Sequence, residues 1–116
     1  MTPVVYEMAA HLLLQETPFS RNRNFEAYTD PRYRRAIALY RRLRALLSDL
    51  ERFSVDGATV RAAFETHAGR PSVRIELASV NARGQRTQRT SWLERPAFDV
   101  LMLHPTARKI LAKVAA

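Results

Sequence analysis

The sequence predicts an α+β fold, a two-layer sandwich in which helices cover one face of a small antiparallel sheet. Three observations lead to this prediction. Residues 31–53 place apolar side chains at helical spacing, apolar and polar side chains alternate after Gly57, and helical spacing returns after Pro96. The predicted order is therefore N-terminal helices, a three-stranded antiparallel meander, and a C-terminal helix that is kinked near Pro105, because proline lacks the backbone donor that a helix interior needs.

Length and composition indicate one globular domain. The chain has 116 residues, of which 47% are hydrophobic and 26% are charged. We expect a single α+β domain over 1–116, with a helix and a loop arm in 1–30 and the core in 31–116. No apolar run reaches the roughly 18 to 20 residues that a membrane span requires. The chain has no cysteine, which excludes disulfides and thiolate metal sites and fits a cytoplasmic protein.

The helix predicted over residues 31–53 has the clearest pattern in the chain. Thr29 or Asp30 can cap its first turn, and Pro31 suits its first position. One broad side of this helix is apolar, and the opposite side carries arginines. The apolar side comprises Ala36, Leu39, Tyr40, Leu43, Leu46, Leu47 and Leu50, and the opposite side carries Arg34, Arg35, Arg41, Arg42 and Arg52.

Three predicted strands follow this helix, joined by turns at residues 67–71 and 81–84. They cover residues 59–66, 72–80 and 86–94. When their apolar faces are aligned, Arg61 lies near Glu76 and Glu65 lies near Arg74, pairs worth about 0.2 to 1 kcal/mol each. Trp92 falls on the same face of the third strand as Gln88 and Thr90, and no exposed aromatic side chain is obvious on the solvated face of the sheet. We expect one apolar face against the helices and one solvated, salt-bridged face.

No catalytic or metal-binding constellation is recognisable. His11, His67 and His104 fall in three different elements, and none forms a helical pair at metal-ligand spacing. The chain has no glycine-rich phosphate loop, nucleophile elbow or thiol nucleophile. We therefore expect a non-enzymatic protein with no metal and no cofactor. An enzyme, for example a metal-free ribonuclease that uses arginine and histidine, is the third-ranked hypothesis.

Charge is the main functional signal. The formal net charge is +8, so the protein attracts polyanions. The candidate nucleic-acid-binding residues are all arginines: four on the predicted helix, two in the preceding loop, and two around Gly84. They are Arg34, Arg35, Arg41 and Arg42, then Arg21 and Arg23, then Arg83 and Arg86. Each group also has a structural interpretation, as a solvated helix face, a loop anchored to the core by Phe25 and Tyr28, and a salt-bridged sheet surface with Arg61, Arg74 and Arg89.

Part of the predicted topology resembles a known nucleic-acid-binding family. The order helix, three antiparallel strands, helix from residue 31 onward is similar to that of the double-stranded RNA-binding domain. Such domains carry a lysine cluster at the start of the final helix, where this chain has Pro96-Ala97-Phe98-Asp99. The basic charge and the order of helices before strands also resemble small ribonuclease toxins of toxin–antitoxin pairs, which begin with a strand. No specific family is recognised from the residues.

The leading hypothesis is a small nucleic-acid-binding protein, for DNA or RNA, that contacts phosphate through its arginine-rich helix. Reversing Arg35 and Arg42 to Glu is then expected to abolish binding and leave the thermal midpoint nearly unchanged. The alternative is a protein–protein interaction module that forms a homodimer, binds an acidic partner or belongs to a larger assembly. Two apolar stretches suggest it, the first helix and residues 98–103.

Overall fold

A computed structural model describes residues 3–15, 30–54 and 58–112. In this part of the chain four helices accompany one three-stranded antiparallel sheet of order β1-β2-β3, which confirms the predicted α+β class. The elements are α1 (Pro3–Leu14), α2 (Pro31–Phe53), β1 (Ala58–His67), β2 (Arg70–Val80), β3 (Arg86–Glu94), α3 (Arg95–Leu101) and α4 (Pro105–Leu111). The predicted loop arm, with Arg21, Arg23, Phe25 and Tyr28, lies outside the described residues.

Helix α2 begins where the sequence predicts. The Asp30 carboxylate accepts the Arg32 backbone N–H at 2.9 Å, so Asp30 is the N-cap, and Pro31 occupies the first helical position. Arg32 also binds the Asp30 carboxylate through its guanidinium, and these contacts lower the pKa of Asp30. Six of the seven residues on the predicted apolar side are buried, while Tyr40 is partly buried and Phe53 is buried in addition. The six are Ala36, Leu39, Leu43, Leu46, Leu47 and Leu50.

Helix α1 completes the core rather than standing apart from it. It packs against α2 and α3, and its Val5, Ala9 and Leu13 are buried in the same cluster as the α2 leucines. Full burial of a Val or Leu side chain contributes about 1.5 to 3 kcal/mol. The apolar pattern of the first helix is therefore largely accounted for by packing within the chain.

The register of the sheet fixes which side chains face the helices. Val73 lies between Phe64 and Leu93, and Ile75 lies opposite Ala62. The central-strand residues Val73, Ile75 and Leu77 are essentially inaccessible to solvent, and α2, α3 and α4 all contact the sheet. The alternation that the sequence predicts is thus realised as one face buried under helices, and we call the opposite one the outer face.

The β1–β2 connection is a two-residue hairpin turn. His67 and Arg70 are paired across it, and Ala68 and Gly69 both have positive φ, +52° and +75°. Two successive positive φ values are typical of a type I′ turn, whose twist matches that of the strands. Glycine adopts this conformation readily, but alanine is strained in it because of its Cβ.

The β2–β3 connection is organised by Asn81. Its side-chain oxygen accepts the backbone N–H groups of Arg83 and Gln85, each at 2.9 Å. Its own carbonyl accepts the N–H of Gly84, which has a φ of +79°. These bonds hold the turn backbone and leave the Arg83 side chain exposed at its tip.

The predicted kink at Pro105 is confirmed as a break between two short helices. Helix α3 ends at Leu101, and α4 starts at Pro105 with His104 as its N-cap. The His104 Nδ1 accepts the Thr106 backbone N–H at 3.2 Å, which requires a neutral ring with its proton on Nε2. Burial lowers the pKa of His104; the Arg44 charge lowers it further, and Glu51 opposes them.

Candidate nucleic-acid interface

The arginine face of α2 is on the surface of the molecule. Arg34, Arg35, Arg41 and Arg42 are all exposed, and so are the alanines between them, Ala38 and Ala45. Seven helical residues rise about 10 Å, so Arg34 and Arg41 form one stripe and Arg35 and Arg42 form another. Small alanine side chains between the stripes leave the backbone cylinder accessible. We define the α2 arginine face as these four arginines.

Arg42 is held by the edge of the sheet. Its guanidinium donates to the backbone carbonyl of Trp92 in β3, which is an edge strand. A carbonyl that points away from the sheet on an edge strand has no partner strand, and here an arginine from the helical layer supplies the donor. Arg42 therefore has a structural role, which the sequence pattern did not show.

A second contact between α2 and β3 lies on the C-terminal side of the α2 arginine face and joins Asp49 to Arg89. Both carboxylate oxygens of Asp49 lie 3.1 Å from a guanidinium nitrogen of Arg89, and Arg52 also binds this carboxylate. Arg89 lies opposite the buried Leu77 in the sheet register. The prediction that Arg89 belongs to the solvated face is therefore wrong, because the alternation of β3 turns it towards the helices.

The remaining candidate arginines do not join the α2 arginine face. Arg83 and Arg86 are exposed at the β2–β3 turn. Six strand residues separate Arg86 from Trp92, the residue that Arg42 contacts, and this corresponds to about 20 Å. Arg21 and Arg23 lie outside the described residues. The structure thus brings together four of the eight candidate arginines, and leaves Arg83 and Arg86 at a separate position.

The outer face of the sheet carries one of the two predicted charge pairs as an ion pair, Glu65 with Arg74. The Glu65 carboxylate lies 3.0 Å from the guanidinium of Arg74, whereas Arg61 is only the register neighbour of Glu76. Glu76 lies 3.1 Å from the Nε of Arg74. That buried Nε has no hydrogen-bond partner among the described residues, so the second contact is an ion pair without a hydrogen bond. The two carboxylates offset much of the positive charge of this region.

An aromatic pair on the outer face was missed from the sequence. The rings of His67 and Trp92 are stacked, with centroids 4.1 Å apart and planes inclined by 10°. The Arg74 guanidinium carbon lies 5.9 Å from the Trp92 ring centroid. Trp92 lies on the face of Gln88 and Thr90, as the alternation predicts, and opposite Arg74, so the expectation that the solvated face has no aromatic was wrong. His67 was placed in the connecting turn, whereas it is the last residue of β1, and this position brings its ring to Trp92.

Neither a metal centre nor a membrane span is found in the described segments. Residues 3–15, 30–54 and 58–112 contain no group of three or more histidine and acidic side chains that could hold a metal ion. None of the described helices is long and apolar enough to span a bilayer.

Comparisons with known protein families, with curated proteins and with solved structures found no match. A functional interpretation therefore depends on the surfaces of this chain alone.

Proposed function

We propose that this protein is a small, basic, non-enzymatic nucleic-acid-binding protein of the cytoplasm that contacts phosphate through the α2 arginine face. One observation carries the proposal: four exposed arginines share one side of a regular helix in a chain with a net charge of +8. Arg35 and Arg41 form no ion pair with a carboxylate of the described residues. Their charges are thus available to an external anion.

The chemistry of the side chain favours phosphate as that anion. Guanidinium is planar, always charged at physiological pH, and can donate two parallel hydrogen bonds to phosphate oxygens. A rigid helix sets the spacing of these groups before binding, which reduces the entropy lost on association. The exposed alanines between the stripes remove steric obstacles to a close approach of a nucleic-acid backbone.

Arg42 contributes to this face in two ways under the proposal. Its bond to the Trp92 carbonyl fixes the position of the guanidinium. A guanidinium has five N–H donors, so one bond to a carbonyl leaves donors for a phosphate. A charge reversal at Arg42 would disturb both the helix–strand contact and phosphate binding, so the test must use other positions.

The experiment is a gel shift with Arg35→Glu/Arg41→Glu against single- and double-stranded DNA and RNA. The double variant changes the net charge by four units. The matched control is Arg108→Glu/Lys109→Glu, which makes the same change of charge at two exposed residues of α4. We expect the α2 variant to lose binding at moderate salt and the α4 variant to retain most of it. Equal losses would mean that net charge, and not the α2 arginine face, determines binding.

The alternative function, a protein–protein module, has less support from the apolar stretches that suggested it. Phe98, Val100 and Leu101 are buried within the chain, as are the main apolar side chains of α1. Large apolar side chains that remain partly exposed are spread over several elements, among them Leu14, Phe64, Val80 and Leu103. Light scattering separates the two functions, since a stable oligomer that ignores nucleic acid would favour the alternative.

A further inference from the structure

The His67–Trp92 pair is the starting point for a second binding surface. Both residues lie on the outer face, His67 at the end of β1 and Trp92 in β3. Ser72 of the central strand lines the same cavity as the two rings and is only 5% exposed, although it lies on that face. His67 itself is exposed, and Trp92 is half-buried. The imidazole of His67 is therefore the more solvent-exposed of the two stacked rings.

The His67–Trp92 pair lines a cavity together with two cationic side chains, Arg42 and Arg70. The cavity has a volume of about 260 Å³, and its lining also includes the carboxylate side chain of Glu94. Arg70 is held there by Glu94, whose carboxylate lies 3.2 Å from the guanidinium. Sites for drug-sized ligands usually measure roughly 300 to 1,000 Å³, so this smaller cavity can hold part of one nucleotide, with the rest on the exposed surface of His67. Stacking surface and phosphate donors thus occur within one small site.

We propose that this cavity binds an unpaired nucleotide of a single-stranded nucleic acid, with the base extending the His67–Trp92 stack and the phosphate near Arg42 and Arg70. The proposal depends on the nucleic-acid-binding function proposed above and names its substrate class. Base–aromatic stacking is tolerant of sequence, and histidine and tryptophan both serve as platforms for it. A base in a duplex is already paired and stacked on its neighbours, so a duplex cannot fill the cavity in this way.

Arg42 connects the two surfaces. It belongs to the α2 arginine face, and it also lines the cavity because it reaches the carbonyl of the residue whose ring forms the stack. A strand that contacts the α2 arginine face through phosphate can therefore place one nucleotide around the edge of β3. Duplex affinity would come from the arginines alone, and single-strand affinity from both surfaces.

Trp92 is the only tryptophan of the chain, so its fluorescence reports on this site alone. The experiment titrates the protein at fixed pH and moderate salt with an eight-nucleotide single strand and with the duplex of the same sequence, using labelled-strand anisotropy for affinity. We expect the single strand to change Trp92 emission to saturation and the duplex to leave it unchanged. His67→Ala should weaken single-strand binding about tenfold, the loss expected for one base–aromatic stack.

Two further variants make the result specific. Thr66→Ala is the control, because Thr66 is an exposed neighbour whose side chain points to the other face of the sheet. His67→Phe keeps an aromatic platform and should keep single-strand affinity, even if His67→Ala destabilises the hairpin.

The outcomes separate the two proposals. If the protein binds both nucleic acids but Trp92 emission stays constant and His67→Ala binds like Thr66→Ala, the aromatic pair only seals the hairpin, and this inference is wrong while the proposed function stands. If neither nucleic acid binds, both proposals fail.

Discussion

Ala68→Gly should stabilise the protein, against the usual direction of an alanine-to-glycine change. Ala68 has a φ of +52° in the β1–β2 turn, a conformation that costs an L-residue about 1 to 2 kcal/mol. Glycine removes this strain but loses about 0.4 to 1 kcal/mol through the greater freedom of the unfolded chain. The difference is a gain of about 0.8 kcal/mol, equivalent to a rise in thermal midpoint of about 3 °C for a chain of this size.

Urea denaturation and thermal melting monitored by circular dichroism measure this effect. The control is the same substitution at Ala38, an exposed position inside α2, where glycine should cost about 1 kcal/mol relative to alanine. The two variants should therefore shift the midpoint in opposite directions. If Ala68→Gly destabilises the protein as Ala38→Gly does, the turn does not have the positive φ at Ala68 on which the reasoning depends.

Two further predictions concern single contacts. Arg42→Ala should lower the free energy of unfolding by about 1 kcal/mol, because the Trp92 carbonyl loses its donor. The control Arg41→Ala should change the free energy of unfolding by less than about 0.5 kcal/mol. Equal values for the two variants in urea denaturation would contradict the contact between Arg42 and Trp92. The pKa of His104 is lowered in the folded protein, so the neutral ring that caps Thr106 contributes its full stability above the unfolded pKa of about 6.5. This contribution is lost as the pH falls through the pKa of His104 in the folded state. The thermal midpoint should thus fall on acidification below neutrality. His104→Asn, which keeps an acceptor, should weaken that dependence, and an identical pH profile in this variant would refute the assignment.

The elements of the fold could be predicted because each has a local signal. Asp30 and Pro31 mark the start of α2, and the helical period predicts its buried side. Alternation predicts β3 over the residues that it occupies, 86–94, and Pro105 predicts the break before α4. Each of these signals comes from residues only a few positions apart in the sequence, so the start or the buried side of an element can be predicted without knowledge of the tertiary structure.

The contacts that shape the candidate sites join residues far apart in sequence. A helical wheel shows that Arg42 is on the polar side of α2, but not that the edge of β3 lies beside it. The Ala68–Gly69 turn lacks the Asn-Gly signal usual for its type, so the end of β1 was placed too early and His67 was assigned to a loop. The aromatic pair on the outer face forms because β1 extends one residue further, to His67.

The slope of log affinity against log salt concentration tests the central claim most directly. Each phosphate neutralised contributes about −0.9 to the slope for double-stranded DNA. If the α2 arginine face binds phosphate, Arg35→Ala/Arg41→Ala should make the slope on a DNA duplex shallower by about 1.8, while Arg108→Ala/Lys109→Ala leaves it unchanged. An identical slope in the α2 variant and the wild-type protein would contradict the assignment of phosphate contacts to this face.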